Sequence, residues 1–411
     1  MENTVFWIII VILLFDYGFE LYLDWLNTRQ LSNTLPEELK GIYNEEEYRK
    51  SQDYYKVKQR FSQITGTFST VLILLTLFFG GFGWLDNHVR SVTENPVLMA
   101  LLFFGIIGLA SDLLTMPFGI YSTFVIEEKF GFNKTTPKTF ILDTLKGWLI
   151  TAVFGGGILS LVVWVYTLTP HYFWLIAWGI IIVFSLFMSM FYTSLILPLF
   201  NKQKPLEEGS LRDNLESLSK NTGFHLDNIF VMDGSKRSTK ANAFFSGLGP
   251  KKRIVLYDTL LNDLSEDEVT AVLAHEIGHY KKKHTLQSIF ITIANSGIML
   301  YILSLFLQSS ELSSALGAEV PGFHINVLAF GILYSPVSFI LGIFMNMLSR
   351  KNEYEADKFA GDHYSAQALI EGLKKLSVKS LSNLKPHRLY VFFYYSHPTL
   401  LQRMHAFESQ L

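Results

Sequence analysis

Seven long apolar stretches set the terms for this 411-residue chain: residues 5–25, 65–85, 97–118, 147–166, 172–197, 286–307 and 325–348. Each is long enough to cross a hydrocarbon core of about 30 Å as a helix rising about 1.5 Å per residue. The last two contain no Asp, Glu, Lys or Arg, and a buried helix of a water-soluble enzyme rarely runs so far without one. Only 17% of the residues are charged, against about 25% in soluble domains. The expected fold is therefore mainly α, a polytopic membrane protein in a lipid bilayer. The first stretch does not read as a secretory leader. Only Glu2 is charged before it, and it runs into Asp16, Glu20 and Asp24 without a small-residue cleavage site.

The cations are segregated. Residues 27–64 hold seven Lys and Arg, 121–146 four, 200–284 thirteen and 349–411 nine, whereas the connections 86–96, 167–171 and 308–324 hold only Arg90. The short loops alone give eleven against one, which predicts an N-terminus outside or luminal and the large polar segments in the cytosol. The formal net charge of −2 supplies no electrostatic footprint for nucleic acid. Cysteine is absent, so disulfides and thiolate metal sites are excluded. The expected organisation is an N-terminal membrane domain of five helices (1–200), then a second domain (201–411) containing the last two spans. In the polar insert, Asn228–Met232 and Arg253–Tyr257 read as short strands. Ala241–Phe245 reads as a third, followed by a Gly247-Leu248-Gly249-Pro250 turn.

The chemistry lies in His275-Glu276-Ile277-Gly278-His279. Ser265 and Glu268 form a capping box that opens a helix through this segment. His275 and His279, at i and i+4, share one helical face and can ligate a single zinc ion, with Glu276 placed beside them as a proton acceptor. At this chain's own His and Glu frequencies the pattern would arise by chance roughly 0.02 times. Its flanks, Ser265-Glu266-Asp267-Glu268 and Lys281-Lys282-Lys283, are charged, so the helix lies outside the membrane. His279 is only about six residues, roughly 9 Å, from the sixth span. Beyond the seventh span, Glu353 and Asp357 are again i and i+4, so Glu353 can complete a His2Glu site while Asp357 orients a ligand histidine. Glu355 is a rival ligand. A two-span hairpin brings the two polar helices together.

Several blocks extend beyond the metal motif: Glu127-Glu128-Lys129-Phe130-Gly131-Phe132-Asn133-Lys134, Asn242-Ala243-Phe244-Phe245, Arg253 to Leu261, Ala274 to His279, Glu353 to Asp357, and Tyr395-Ser396-His397-Pro398. With them the chain resembles, over nearly its whole length, the type I CAAX prenyl proteases, seven-span zinc metalloproteases of gluzincin type. The resemblance implies seven transmembrane helices enclosing a chamber, capped by a zinc domain with a small β-sheet. It implies one Zn2+ per chain held by His275, His279 and Glu353, with Glu276 as catalytic base. Asp357 matches a position described as a proton donor, although orientation of a ligand histidine is the simpler physical role. The resemblance also makes His397 and Arg403 stabilisers of the oxyanion, although His397-Pro398 in isolation is only a helix start. Asn242, Ala243 and Phe244 become an edge strand to which an extended peptide adds. A wet chamber would account for Asp112 and the acids of the first span.

The expected reaction is hydrolysis of a peptide bond near the C-terminus of a CaaX-type protein, the substrate peptide carrying a lipid. A broad quality-control protease that clears misfolded or translocation-stalled proteins would use the same chemistry. A transporter with a structural metal would need a fourth protein ligand, and only three are visible. The membrane is that of the endoplasmic reticulum or a bacterial plasma membrane. The sequence sets no oligomeric state and is compatible with a monomer.

Overall fold

A computed structural model describes residues 3–223, 229–247 and 253–408. Six helices are long and apolar enough to cross a membrane, and a bent pair supplies a seventh crossing. The first, Thr4–Thr28, is opened by the Asn3 side chain accepting from the Val5 amide. The second, Glu45–Phe78, begins well outside the apolar stretch on a capping box of Asn44 and Glu47. It ends earlier than the stretch 65–85 suggested. Gly80 is left-handed at φ +63°, and an amphipathic helix, Gly81–Val92, follows. Glycine is the residue that takes this conformation without a Cβ penalty.

The third span, Pro96–Tyr121, runs on through a π-helical segment to Glu127. The fourth covers Pro137–Leu168 with a π-segment at Thr151–Gly155, starting ten residues before the stretch at 147. The fifth, Phe173–Phe200, has its π-segment at Tyr192–Ile196. The sixth is His284–Phe306. The seventh is not one continuous helix. Phe323–Leu333 and Ser335–His363 meet at a 52° bend, where Pro336 has no N–H to carry the helical ladder across.

The spans are packed against one another mainly at the ends distant from the polar domain. There a core of Ile9, Leu77, Phe82, Phe103, Val163, Phe173, Leu303 and Ile325 joins all seven crossings. Gly83 and Gly317 touch so closely that a Cβ on Gly83 would stand 2.0 Å from the Gly317 carbonyl oxygen. Asp86, fully buried in this cap, accepts from Arg90 at 2.8 Å and lies 2.6 Å from His324 Nε2. Towards the polar domain the spans touch through scattered pairs, among them Phe68 with Phe118, Phe19 with Phe339, and the Trp178 indole donating to the Ile293 carbonyl. The third span buries only Ala100 and Phe103, and a Cβ on Gly105, Gly108 or Gly119 would meet nothing within 4 Å. Asp112 accepts from the Trp148 indole at 2.6 Å, and Asp16 from Ser335 at 3.0 Å.

A second core lies in the polar domain. Four strands, β1 (Gln203–Pro205), β2 (Ile229–Met232), β3 (Ala243–Ser246) and β4 (Arg253–Tyr257), form a sheet in the order β1-β2-β4-β3. β2 and β4 are parallel; β1 and β3 are antiparallel to their neighbours. The third strand lies two residues later than Ala241–Phe245 at its start and one later at its end. Asn228 and Leu248 to Pro250 lie outside the described residues. Ile254 and Leu256 of β4 pack with Val269, Leu273 and Ile277 of the helix Glu266–Lys281, and with Phe359 and Leu369.

Candidate metal centre

The helix Glu266–Lys281 begins on the expected capping box, Ser265 with Glu268. It lies directly against the polar end of Ser335–His363, and Gly278 permits this approach. A Cβ there would stand 3.0 Å from the Ala356 Cα and 3.0 Å from the Phe359 Cβ. The contact places His275 and His279 of one helix opposite Glu353 of the other.

His275 Nε2 and His279 Nε2 are 3.1 Å apart; Glu353 approaches the first at 3.5 Å and the second at 3.3 Å. Donors held about 2.0–2.1 Å from a tetrahedral zinc lie about 3.4 Å from one another. The three residues therefore fit a metal ion, and they form the grouping of this kind found among the described residues. His275 and Glu353 are buried, and His279 is partly so.

The outward nitrogens of both histidines are also held. His275 Nδ1 lies 2.9 Å from Asp357, so its N–H donates to that carboxylate and Nε2 keeps its lone pair for the ion. His279 Nδ1 lies 3.0 Å from His284 Nδ1, and His284 Nε2 lies 3.2 Å from Glu355. Glu355 is thus turned to His284, behind the ligand face. The sequence reasoning missed this chain of contacts. Its only trace was a histidine closing the Lys281–Lys283 run and an acid two residues from Glu353.

Arg403, buried, donates from Nε to Asp357 at 2.8 Å and makes a second, short bond from Nη2 to the same carboxylate. Its Nη1 is 3.8 Å from Glu353. His397 is mostly exposed, with Nδ1 3.0 Å from Glu353. Burial opposes a proton on His275, but hydrogen bonds to Asp357 and Glu353 prevail and carry its pKa up to about 9. Ion binding at neutral pH must displace that proton.

Glu276 is half-buried and forms no hydrogen bond or ion pair among the described residues. Burial moves its pKa upward, against the pull of His275 and His279, in the direction a proton shuttle working near neutral pH requires. It borders a cavity of about 500 Å³ with His279, Phe245, Ser288 and Met345. β3 is an edge strand of the sheet, with β1 at the other edge. Asn242, just before it, is exposed and directs its side-chain oxygen to the Ala243 amide at 2.9 Å. The expected peptide-binding residues Asn242, Ala243 and Phe244 therefore sit at an open sheet edge near the triad.

Residues 24–202 match the family described as the CAAX prenyl protease N-terminal region, with five membrane helices, and residues 205–411 match peptidase family M48. A CAAX prenyl protease 1 homolog of Arabidopsis thaliana is 34% identical over all of this chain and 98% of its own length. The CAAX prenyl protease 1 of Saccharomyces cerevisiae is 35% identical, over 96% of this chain and 93% of its own length. The crystal structure of S. mikatae Ste24p superposes with a TM-score of 0.93 at 33% identity, covering 98% of each chain. The chain belongs to peptidase family M48, to the members that carry a CAAX prenyl protease N-terminal region, and is a membrane metalloendopeptidase.

Proposed function

We propose that this protein is a zinc endopeptidase that cuts near the C-terminus of prenylated CaaX proteins. The observation that carries the reading is the placement of the His275, His279 and Glu353 triad where the sixth and seventh spans emerge, beside the open edge of β3. A lipid on the substrate can stay in the chamber while its backbone pairs with Asn242 to Phe244. The membrane domain is residues 1–200 and the peptidase domain 201–411. The cation distribution supports an N-terminus outside or luminal and a peptidase domain in the cytosol. The relatives from eukaryotes favour the endoplasmic reticulum over a bacterial plasma membrane.

Two histidines and one carboxylate are a catalytic zinc set, because a fourth position stays free. Zinc held there supplies Lewis-acid polarisation of the scissile carbonyl and lowers the pKa of water towards about 7. Glu276 takes the proton from the attacking water and delivers it to the leaving amine. His397, exposed and with Nδ1 beside Glu353, is the side chain placed to turn towards the developing oxyanion. Arg403 is committed to Asp357 and acts through it, keeping His275 oriented.

The test compares a farnesylated CaaX peptide with the same peptide lacking its lipid. The farnesylated peptide should be cut with the higher kcat/KM. Equal cleavage of both would replace this reading with the broad quality-control protease.

A further inference from the structure

The triad has a cavity on each side, and the two differ in chemistry. The first, bordered by Phe245, Glu276 and Met345, lies where the spans emerge. The second, of about 740 Å³, lies beyond His397 and Arg403 and reaches Lys58, Lys240 and Ser377. Ser396 borders both. No Asp or Glu lines the second cavity among the described residues, although Lys58, Lys240 and Arg403 all do.

Asp24 stands behind Gln59 and Tyr55 of the wall, and the Lys58 and Lys240 end has a single carboxylate of its own. Glu127 accepts from Lys240 at 2.9 Å and from the Tyr54 hydroxyl at 2.6 Å, and Lys58 lies 3.6 Å from the same carboxylate. Two ammonium groups thus share one anion, leaving one positive charge in excess at the cavity wall. Arg403, at the near end, is already paired with Asp357.

The strand direction gives this charge a place along a substrate. Phe245 of β3 borders the first cavity, whereas Lys240 precedes Asn242 and borders the second. A peptide whose lipidated residue sits at the first cavity and whose C-terminus enters the second runs antiparallel to β3. Extended chain advances about 3.3–3.6 Å per residue, so three residues past the scissile bond span roughly 10 Å. The end of a released tripeptide then arrives beyond Asn242, on the Lys240 side.

We infer that Lys58 and Lys240 form a subsite for the free α-carboxylate of the substrate, fixing cleavage at a set distance from the chain end. This rests on the CaaX reading above and adds to it the group that measures length. Ammonium–carboxylate hydrogen bonds are among the stronger ones available to a protein, so amidation of the substrate terminus should be costly.

The experiment uses the zinc-loaded full-length enzyme and two farnesylated CaaX peptides, one ending in the acid and one in the primary amide. For the natural enzyme the acid should be cut with a kcat/KM about tenfold higher or more. In Lys58→Gln and in Lys240→Gln the acid-to-amide ratio should fall towards one. A general loss of structure would lower both rates and leave the ratio alone. Lys58 is the half-exposed member of the pair, so Lys58→Gln decides the matter if Lys240→Gln does not fold. A ratio near one in the natural enzyme, or an undiminished ratio in Lys58→Gln, overturns the subsite while leaving the CaaX reading intact. Failure of the natural enzyme to cut either peptide sinks the CaaX reading, and the subsite with it.

Discussion

Asp357→Asn separates two roles for the acid behind the metal. The Asp357 carboxylate is buried, 2.9 Å from His275 Nδ1, and doubly bonded to Arg403. Asparagine keeps the shape and one acceptor oxygen but removes the charge that makes His275 a better donor to the ion. Loss of such an outer carboxylate typically weakens metal binding by about 10–100-fold, or about 1.4–2.7 kcal/mol. The same change leaves the Arg403 guanidinium buried with only Glu353 at 3.8 Å, and breaking a buried pair on one side costs about 3–5 kcal/mol of stability. The two effects come apart in Asp357→Asn combined with Arg403→Met, which removes the orphaned charge but not the loss at His275. Competition with a chromophoric chelator gives the zinc Kd, and thermal melts at saturating zinc give stability. Both variants should bind zinc more weakly by the same factor, with the double variant melting higher. A zinc Kd within twofold of the natural protein, together with a kcat lowered a hundredfold, would refute the reasoning and make Asp357 a proton donor.

The remaining predictions concern the ligand set, the cap and the topology. Glu276→Gln should retain stoichiometric zinc and lose peptidase turnover, whereas Glu353→Ala should lose zinc and turnover together, as metal analysis of the purified variants will show. Gly83→Ala forces a Cβ to 2.0 Å from the Gly317 carbonyl oxygen and should cost about 1–3 kcal/mol or more in a denaturation experiment, because backbone atoms cannot step aside. Cysteines introduced at Ser314 and Ser210, both exposed, should label from opposite sides of the membrane, the first by an impermeant thiol reagent confined to the luminal or outer side. Labelling of Ser210→Cys alone would reverse the orientation.

Composition and spacing made much of this legible. Spans were readable because each must satisfy its backbone internally over a fixed thickness, and the motif helix because its cap and its i, i+4 histidines are local. What failed to show depends on partners far along the chain. The end of the second helix at Phe78 follows from Gly80 meeting the distal cap, although Phe82 and Trp84 kept the stretch apolar. The bend at Tyr334 was marked by Pro336, but a single proline is compatible with an unbroken span, so the 52° angle was not. The π-segments at 122–127, 151–155 and 192–196 leave no compositional mark. The contact of His279 with His284, and of His284 with Glu355, needed the two helices docked before it had any meaning.

Because one core lies at the distal cap and another in the polar domain, the molecule is two cooperative blocks joined by helices that touch one another through scattered aromatic and polar pairs. Free energy lost in one block has few side-chain contacts through which to reach the other, and effects at separated sites then add. Stripping the metal should therefore loosen the peptidase block while the cap stays folded, giving two resolvable heat-absorption peaks in place of a single all-or-none transition. The separation of the two cores along the spans is what divides the protein's thermodynamics.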